Sequence, residues 1–337
     1  MTSEPKSADD PADPSHASMA DASPPLPQLQ QARRDFLALV AKLRPDLHRY
    51  CARMVGSVID GEDVVQDTLA RGYYELSALK EPPALRAWLF RIAHNRALDY
   101  LRRYDRRMRE PLDLDADEFI DRASDPQTLL PHEQAVTLAI ARFAELAPIQ
   151  RSCVILKDVL DYSLEETSDC LQLSLAAVKA ALHRGRARLQ AMSTQASTAA
   201  DVMPSDVSPA VRRYAELFNA RDWDGIRAML IDDVRLEVVD ATSRRGRKEV
   251  GVYFHNYDGR TSWYMVPARL DGREGIAVLA SAQSARATNF IELTVHEDRI
   301  AAIRDFHHVP YFTADAQIQL EATVAAVAGW QPRPRRE

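Results

Sequence analysis

The sequence predicts a multidomain protein: an all-α N-terminal part containing a helix-turn-helix, followed by an α+β domain. Three observations predict it. Apolar residues recur at three- and four-residue spacing through 33–107 and again through 132–192. From residue 234 onward, short alternating runs replace that period, as half-buried strands require. Helices first and a meander of strands afterwards argue α+β rather than a parallel α/β sheet. With 337 residues, 46% of them hydrophobic and 27% charged, the chain can bury a core in each part.

The segments follow in order. Residues 1–32 are rich in Ala, Pro, Ser and Asp and too apolar-poor to offset their ordering entropy, so they read as a disordered tail. In 33–109, Phe36, Leu37, Val40, Leu43, Leu47, Tyr50 and Met54 line a first helix that Gly56 ends. Asp60 reads as the cap of a second helix, with Val64, Val65, Thr68, Leu69, Tyr73 and Leu76 on its apolar face. Pro82 and Pro83 open a third, with Trp88, Leu89, Ile92, Leu98 and Leu101 on one side. Residues 110–131 form an acidic linker. In 132–192, Pro148 opens a helix, Ser163 and Glu166 make a capping box, and Ser174 caps a helix running to about Met192. Residues 193–207 read as a second linker. The last domain, 208–328, begins with helical period through Tyr214, Phe218 and Ile226 and continues with a strand at 234–239 and a helix at 246–257. Strand-like runs follow at 262–267, 275–281, 288–297 and 300–306, then a final amphipathic stretch at 312–328. Residues 329–337 are a tail.

Composition excludes several classes. Cys51, Cys153 and Cys170 are scattered, with no CxxC and no Cys/His cluster, so no disulfide framework or metal site is expected and a reducing cytoplasm is the default. No apolar run approaches the ~20 residues of a membrane span, and mean hydropathy is −0.32. Nothing in the first 32 residues looks like an export signal. Lys plus Arg and Asp plus Glu both number 24 in 33–192, so any nucleic-acid surface must lie in local clusters.

Two such clusters stand out. Eight arginines against two aspartates fill 84–109, with Arg91, Asn95, Arg102 and Arg106 near one helical face and Arg103, Trp88 and Tyr104 beside them. The guanidinium fork suits phosphate, asparagine can read a base edge, and an aromatic ring can stack on an unpaired base. A solvated helix face with Trp88 in the core is the plainer reading of the same residues. The second cluster is 164–189. Two capped helices joined at Leu173-Ser174, the second carrying Lys179, His183, Arg184, Arg186 and Arg188 without an acid, make a helix-turn-helix pattern. A third feature is acidic. Glu62, Gln66 and Asp67 are expected to project from one side of the second helix, suiting a protein partner or simply solvent.

In that order, the runs Asp60-Gly-Glu-Asp-Val-Val-Gln-Asp, Ala87-Trp-Leu-Phe-Arg-Ile-Ala-His-Asn-Arg and Val178-Lys-Ala-Ala-Leu-His-Arg-Gly-Arg-Ala-Arg-Leu resemble regions 2 and 4 of extracytoplasmic-function (ECF) sigma factors of the sigma-70 family. The resemblance covers about 33–192. It implies a transcription initiation factor whose partners are core RNA polymerase and promoter DNA. Asp63, Gln66 and Asp67 would bind polymerase. Trp88, Arg91, Asn95, Arg102, Arg103 and Arg106 would open and read the minus-ten element. Lys179, His183, Arg184, Arg186 and Arg188 would read the minus-thirty-five element. Gln172 stands where the turn usually offers glycine.

Residues 206–325 resemble the SnoaL-like, ketosteroid-isomerase-like cone, through Arg212-Arg-Tyr-Ala-Glu-Leu-Phe-Asn and Ile303-Arg-Asp-Phe-His-His-Val-Pro-Tyr. Asp240, His255, Asp305 and His307 are pocket candidates by residue type. No catalytic residue, cofactor or metal ligand is expected, and the domain is read as regulatory. The alternatives are a stand-alone helix-turn-helix regulator with a ligand-sensing cone, or a cone isomerase or hydrolase with a DNA-binding appendage. The short second linker should keep the cone against regions 2 and 4, with the acidic linker and the basic stripe as surfaces it could engage. An anti-sigma factor is a further partner that the resemblance allows.

Overall fold

A computed structural model describes residues 26–76, 85–108, 140–195, 207–257, 263–281, 284 and 286–321. The acidic linker 110–131, residues 196–206 of the 193–207 linker and the C-terminal tail lie outside the described residues.

Helix α1 (Leu26–Val55) starts inside the stretch expected to be a tail. Gly56 ends it at φ +84°, a left-handed conformation that costs glycine little. Helix α2 (Val58–Leu76) begins earlier than its pattern suggested. Ser57 caps it, its Oγ accepting from the Asp60 amide at 3.1 Å, so Asp60 falls in the first turn rather than at the cap. The two helices cross closely: a Cβ on Gly61 would sit 2.5 Å from the Ala52 Cα. Helix α3 (Leu85–Met108) packs on both.

The second helical unit holds α4 (Ile140–Phe143), α5 (Pro148–Val154) with a π turn at Ile155–Val159, α6 (Leu164–Leu171) and α7 (Leu175–Gln195). The capping box is present: the Glu166 amide donates to Ser163 Oγ at 3.0 Å, and the Ser163 amide donates to Glu166 at 2.8 Å. Gln172 takes the left-handed position at φ 55°, so the turn survives without glycine at a cost of about 1 kcal/mol. The two helical units share one core. Tyr50, Met54 and Phe90 from the first pack with Phe143, Val154, Tyr162, Val178 and Leu182 from the second.

The C-terminal part opens with α8 (Pro209–Asn219) and α9 (Trp223–Met229). Then come β1 (Leu230–Val238), β2 (Thr242–Arg245) and α10 (Arg247–Tyr253), which runs on as a 3-10 turn to Tyr257. The meander is β3 (Tyr264–Leu270), β4 (Arg273–Leu279), β5 (Ala287–His296) and β6 (Arg299–Asp305). A 3-10 turn at Pro310–Thr313 and β7 (Gln319–Leu320) occupy the described start of the amphipathic stretch expected at 312–328. Strand order is β2-β1-β6-β5-β4-β3-β7, antiparallel except for the β1–β6 pair. This is the predicted all-α part followed by an α+β domain.

Both faces of that sheet are covered. Leu236, Ile276, Val278, Ile291 and Ile303 face α8–α10 through Tyr214, Phe218 and Phe254. The opposite face, with Ala268, Leu270, Ala277, Phe290, Phe306 and Phe312, meets Ala52, Val58, Ile59 and Ile140 of the helical part. Each large apolar side chain buried this way contributes roughly 1.5–3 kcal/mol, so the docking is not merely polar.

Candidate nucleic-acid interface

The acidic turn of α2 is the centre of the contact. Because i and i+3 share a helical face, Asp60 and Asp63 line up toward the sheet. There Arg273 of β4 pairs with Asp60 and, at 3.2 Å, with Glu292. Arg304 of β6 pairs with Asp63 and lies 3.2 Å from Glu237. The β3–β4 hairpin supplies Asp271, whose carboxylate accepts from Ser57 Oγ (2.9 Å) and from the amides of Val58 (2.6 Å) and Ile59 (3.3 Å). A second domain thereby caps α2, satisfying amides that no residue within the helix can reach.

Behind this row sits Glu62, fully buried rather than projecting to solvent as expected. Arg44 of α1 reaches it at 2.7 Å and also holds Asp240 at 2.5 Å, while Tyr311 donates to its other oxygen at 3.1 Å. Burial pulls the Arg44 guanidinium's proton affinity down, but Glu62 outweighs it and holds the group firmly ionised. Further along α1, Arg49 and Arg53 bracket Asp315 at 3.1 and 3.2 Å. Burial pushes the Asp315 carboxyl up, yet the two arginines leave it below the usual range. The intramolecular contact is thus present. Its strongest pairs fall on α1 and α2, not on the basic stripe, and the acidic linker lies outside the described residues.

Of the polymerase candidates, Asp63 is engaged by Arg304, Gln66 is half-buried and Asp67 is exposed. Gln66, Asp67, Tyr100, Arg103 and Tyr104 line a cleft of about 520 Å³ between α2 and α3. On α3, Asn95, Arg102 and Arg103 are exposed and Arg91 is half-buried, whereas the Arg106 side chain lies outside the described residues. Trp88 is only 6% exposed and packs in the shared core, so it presents no stacking face. The ring exposed beside the arginines is Tyr104, at 51%.

On α7, Lys179 and His183 share an exposed face one turn apart, Arg188 is exposed and Arg184 is half-buried. Arg186 departs from the expectation. It is buried, and its fork holds both oxygens of Asp158, at 2.9 and 2.6 Å. Arg186→Ala is therefore expected to act on stability, because it breaks a buried ion pair at a cost of about 3 kcal/mol. Thermal unfolding followed by circular dichroism checks this; an unchanged midpoint would restore Arg186 to the DNA-facing set.

Among the pocket candidates of the sheet domain, the structure joins Asp305 and His307 but not Asp240, which lies against the helical part on Arg44. The His255 side chain lies outside the described residues. Asp305 is completely buried and accepts from Tyr253 OH (2.8 Å), Tyr257 OH (3.0 Å), Asn289 Nδ2 (2.6 Å) and the His307 amide (2.9 Å). With four donors on its two oxygens, this carboxylate is held in one orientation by the fold. Burial, then the Asp305 charge, raises both tyrosine hydroxyls well above their ordinary range. Tyr253, Tyr257 and Asn289 were missed because nothing in the chain's pattern marks them as neighbours of residue 305.

With this geometry in view, sigma-70 region 2 matches residues 39–107 and sigma-70 region 4 matches residues 138–189. The ECF RNA polymerase sigma factor SigM of Mycobacterium tuberculosis is 30% identical over 157 residues, covering 47% of this chain and 76% of its own. The chain belongs to the ECF group of the sigma-70 family. SigG, another ECF sigma factor of M. tuberculosis, is 33% identical over 222 residues, 58% of each chain. The match thus spans a little over half of SigG's length. The crystal structure of the M. tuberculosis ECF sigma factor SigJ overlaps 82% of this chain and 98% of its own, at 19% identity and a TM-score of 0.31. In this ECF-family chain, the region 2 match takes in the second half of α1 with α2 and α3, and the region 4 match takes in α4 through most of α7. No described helix is long and apolar enough to cross a membrane.

Proposed function

We propose that this chain is an RNA polymerase sigma factor whose C-terminal sheet restrains it. The observation that carries the reading is the pairing of Asp63, in the helix proposed to bind polymerase, with Arg304 of the sheet. While that pair stands, the polymerase-facing turn of α2 is occupied. The shared core of regions 2 and 4 adds a second restraint. Promoter elements centred near minus ten and minus thirty-five lie about 25 base pairs apart, roughly 85 Å of duplex. A compact body of some 160 residues is only about 40 Å across. The closed form cannot span both, so initiation requires regions 2 and 4 to separate. In the open form Asn95, Arg102 and Arg103 would act on the minus-ten strand, and Lys179 and His183 on the minus-thirty-five duplex. An anti-sigma partner is compatible with this scheme but not required, because the sheet already covers α2.

Asp67 offers the cleanest test, being exposed and clear of the sheet. Asp67→Arg in the full chain should abolish co-elution with core polymerase and transcription in vitro while leaving the circular dichroism spectrum unchanged. Undiminished polymerase binding by this variant would remove α2 from the interface. Tight, sequence-specific duplex binding without polymerase would instead favour the stand-alone regulator.

A further inference from the structure

Val58, the first residue of α2, is gripped at both of its backbone groups by residues from elsewhere. Its amide donates to Asp271 of the sheet domain at 2.6 Å. Its carbonyl accepts from Nε2 of His48 on α1 at 3.1 Å, which fixes that nitrogen as the protonated one in the neutral ring. The His48 ring is 2% exposed, and what covers it is the segment after β6: Tyr311 and Phe312 lie 5.2 and 5.6 Å from it, ring to ring. His48 thus sits where α1, α2 and the docked sheet domain meet.

We propose that His48 is a proton-sensitive latch, and that a second proton on its ring releases the sheet domain from α2. The charged groups around the ring come from every element packed there. Arg44 and Arg53 of α1 oppose a second proton and Asp315 favours it. Asp315 is already bracketed by Arg49 and Arg53, Glu62 of α2 is paired with Arg44, and Asp271 is committed to the α2 amides. Burial dominates and holds the docked imidazole down at about 4, against an ordinary 6.5. A lowered value means that docking is stabilised above the free value and loses that stability as pH falls from about 6.5 toward 4. Acids desolvated by the same interface, Glu62, Asp63 and Glu292, are pushed upward by burial and work in the opposite sense. The comparison of wild type with a variant therefore isolates His48.

This inference rests on the closed arrangement proposed above. Its test is hydrogen exchange of segment 57–63 in the full chain at pH 7.5 and 5.5, corrected for the intrinsic pH dependence of exchange. His48→Gln keeps an N–H donor for the Val58 carbonyl and removes the titration. The opening constant of wild type relative to this variant should rise about tenfold on acidification to pH 5.5. A ratio that stays constant overturns the inference. Segment 57–63 lacking protection at pH 7.5 removes the closed state and the latch with it, and so identifies which reading failed. Should His48→Gln not fold, the His48 C2–H titration by NMR decides. It should lie at least one pH unit lower in the wild-type chain than in a chain undocked by Arg304→Glu, with Phe290→Asp added if scattering shows the single variant still compact; equal titrations in the docked and undocked chains overturn the latch.

Discussion

Arg304→Glu should swing the sheet domain away from region 2. Arg304 is largely buried between Asp63 and Glu237, and the substitution sets a third carboxylate against those two. The Asp63 side chain is 47% exposed, so breaking the pair itself costs about 1 kcal/mol. That changes the closed-to-open ratio by roughly fivefold, and the repulsion of a third carboxylate adds to it. The helix cap from Asp271 and the Arg273–Asp60 pair lie on the same row and should loosen with it. Small-angle scattering should report a larger radius of gyration, and affinity for core polymerase should rise. The charge-swapped double variant, Arg304→Glu with Asp63→Arg, should return the scattering profile to the compact form. A compact profile for Arg304→Glu alone would show that the apolar face around Phe290 and Phe306 holds the domain without the ion pairs.

Arg151→Ala should be among the most damaging single changes in the helical part. Arg151 is buried in the seam between regions 2 and 4, with no carboxylate among its contacts. It donates to the carbonyl of Met54 near the end of α1 and to those of Ala144 and Leu146 at 2.6 and 2.8 Å. Burial lowers its proton affinity to about 10, which still leaves it charged at neutral pH. Removing the fork strands three carbonyls at about 1 kcal/mol or more each, before any cavity is counted. A loss of about 3 kcal/mol lowers the melting midpoint by roughly 10 °C for a unit of this size. Arg151→Lys should fare nearly as badly, because one ammonium cannot serve carbonyls spread across a planar fork. A midpoint within two degrees of wild type for either variant would mean that water replaces the fork.

Much of the local structure was legible in the chain. The capping box at Ser163 and Glu166, the stop at Gly56 and the strand at Val234–Val238 each depend on residues a few positions apart. Such signals are printed in the sequence directly. The position of Asp60 was misread for a related reason: Ser57 and Asp60 are both good caps, and the close crossing at Gly61 selected the earlier start. Trp88 and Arg186 show a sharper limit. An aromatic in a basic stripe and an arginine on a recognition helix carry the right chemistry for nucleic acid; period already set Trp88 beside Leu89 and Ile92, but nothing local marks Arg186 as buried. Packing of α3 against the shared core took Trp88 inward, and Asp158, 28 residues upstream, claimed Arg186.

The sheet gave one clue to its docking. Ile276-Ala-Val-Leu279 is apolar at every position, and a strand with no polar face is covered on both sides. In the structure that second cover is the helical part, through Ala52, Val58 and Ile59.

By itself, the sequence determined the family, the order of helices and strands, and the residue types available to polymerase and promoter. These are set by backbone propensity, period and short-range capping, which act within a few residues. Only the tertiary structure decided that Arg273, Arg304 and Asp271 close on Asp60, Asp63 and Val58, and that Tyr311 covers His48. Those partners lie more than 200 residues apart along the chain. Their pairing is selected by the burial of two apolar faces against each other, a free energy belonging to the whole surface and carried by no local motif.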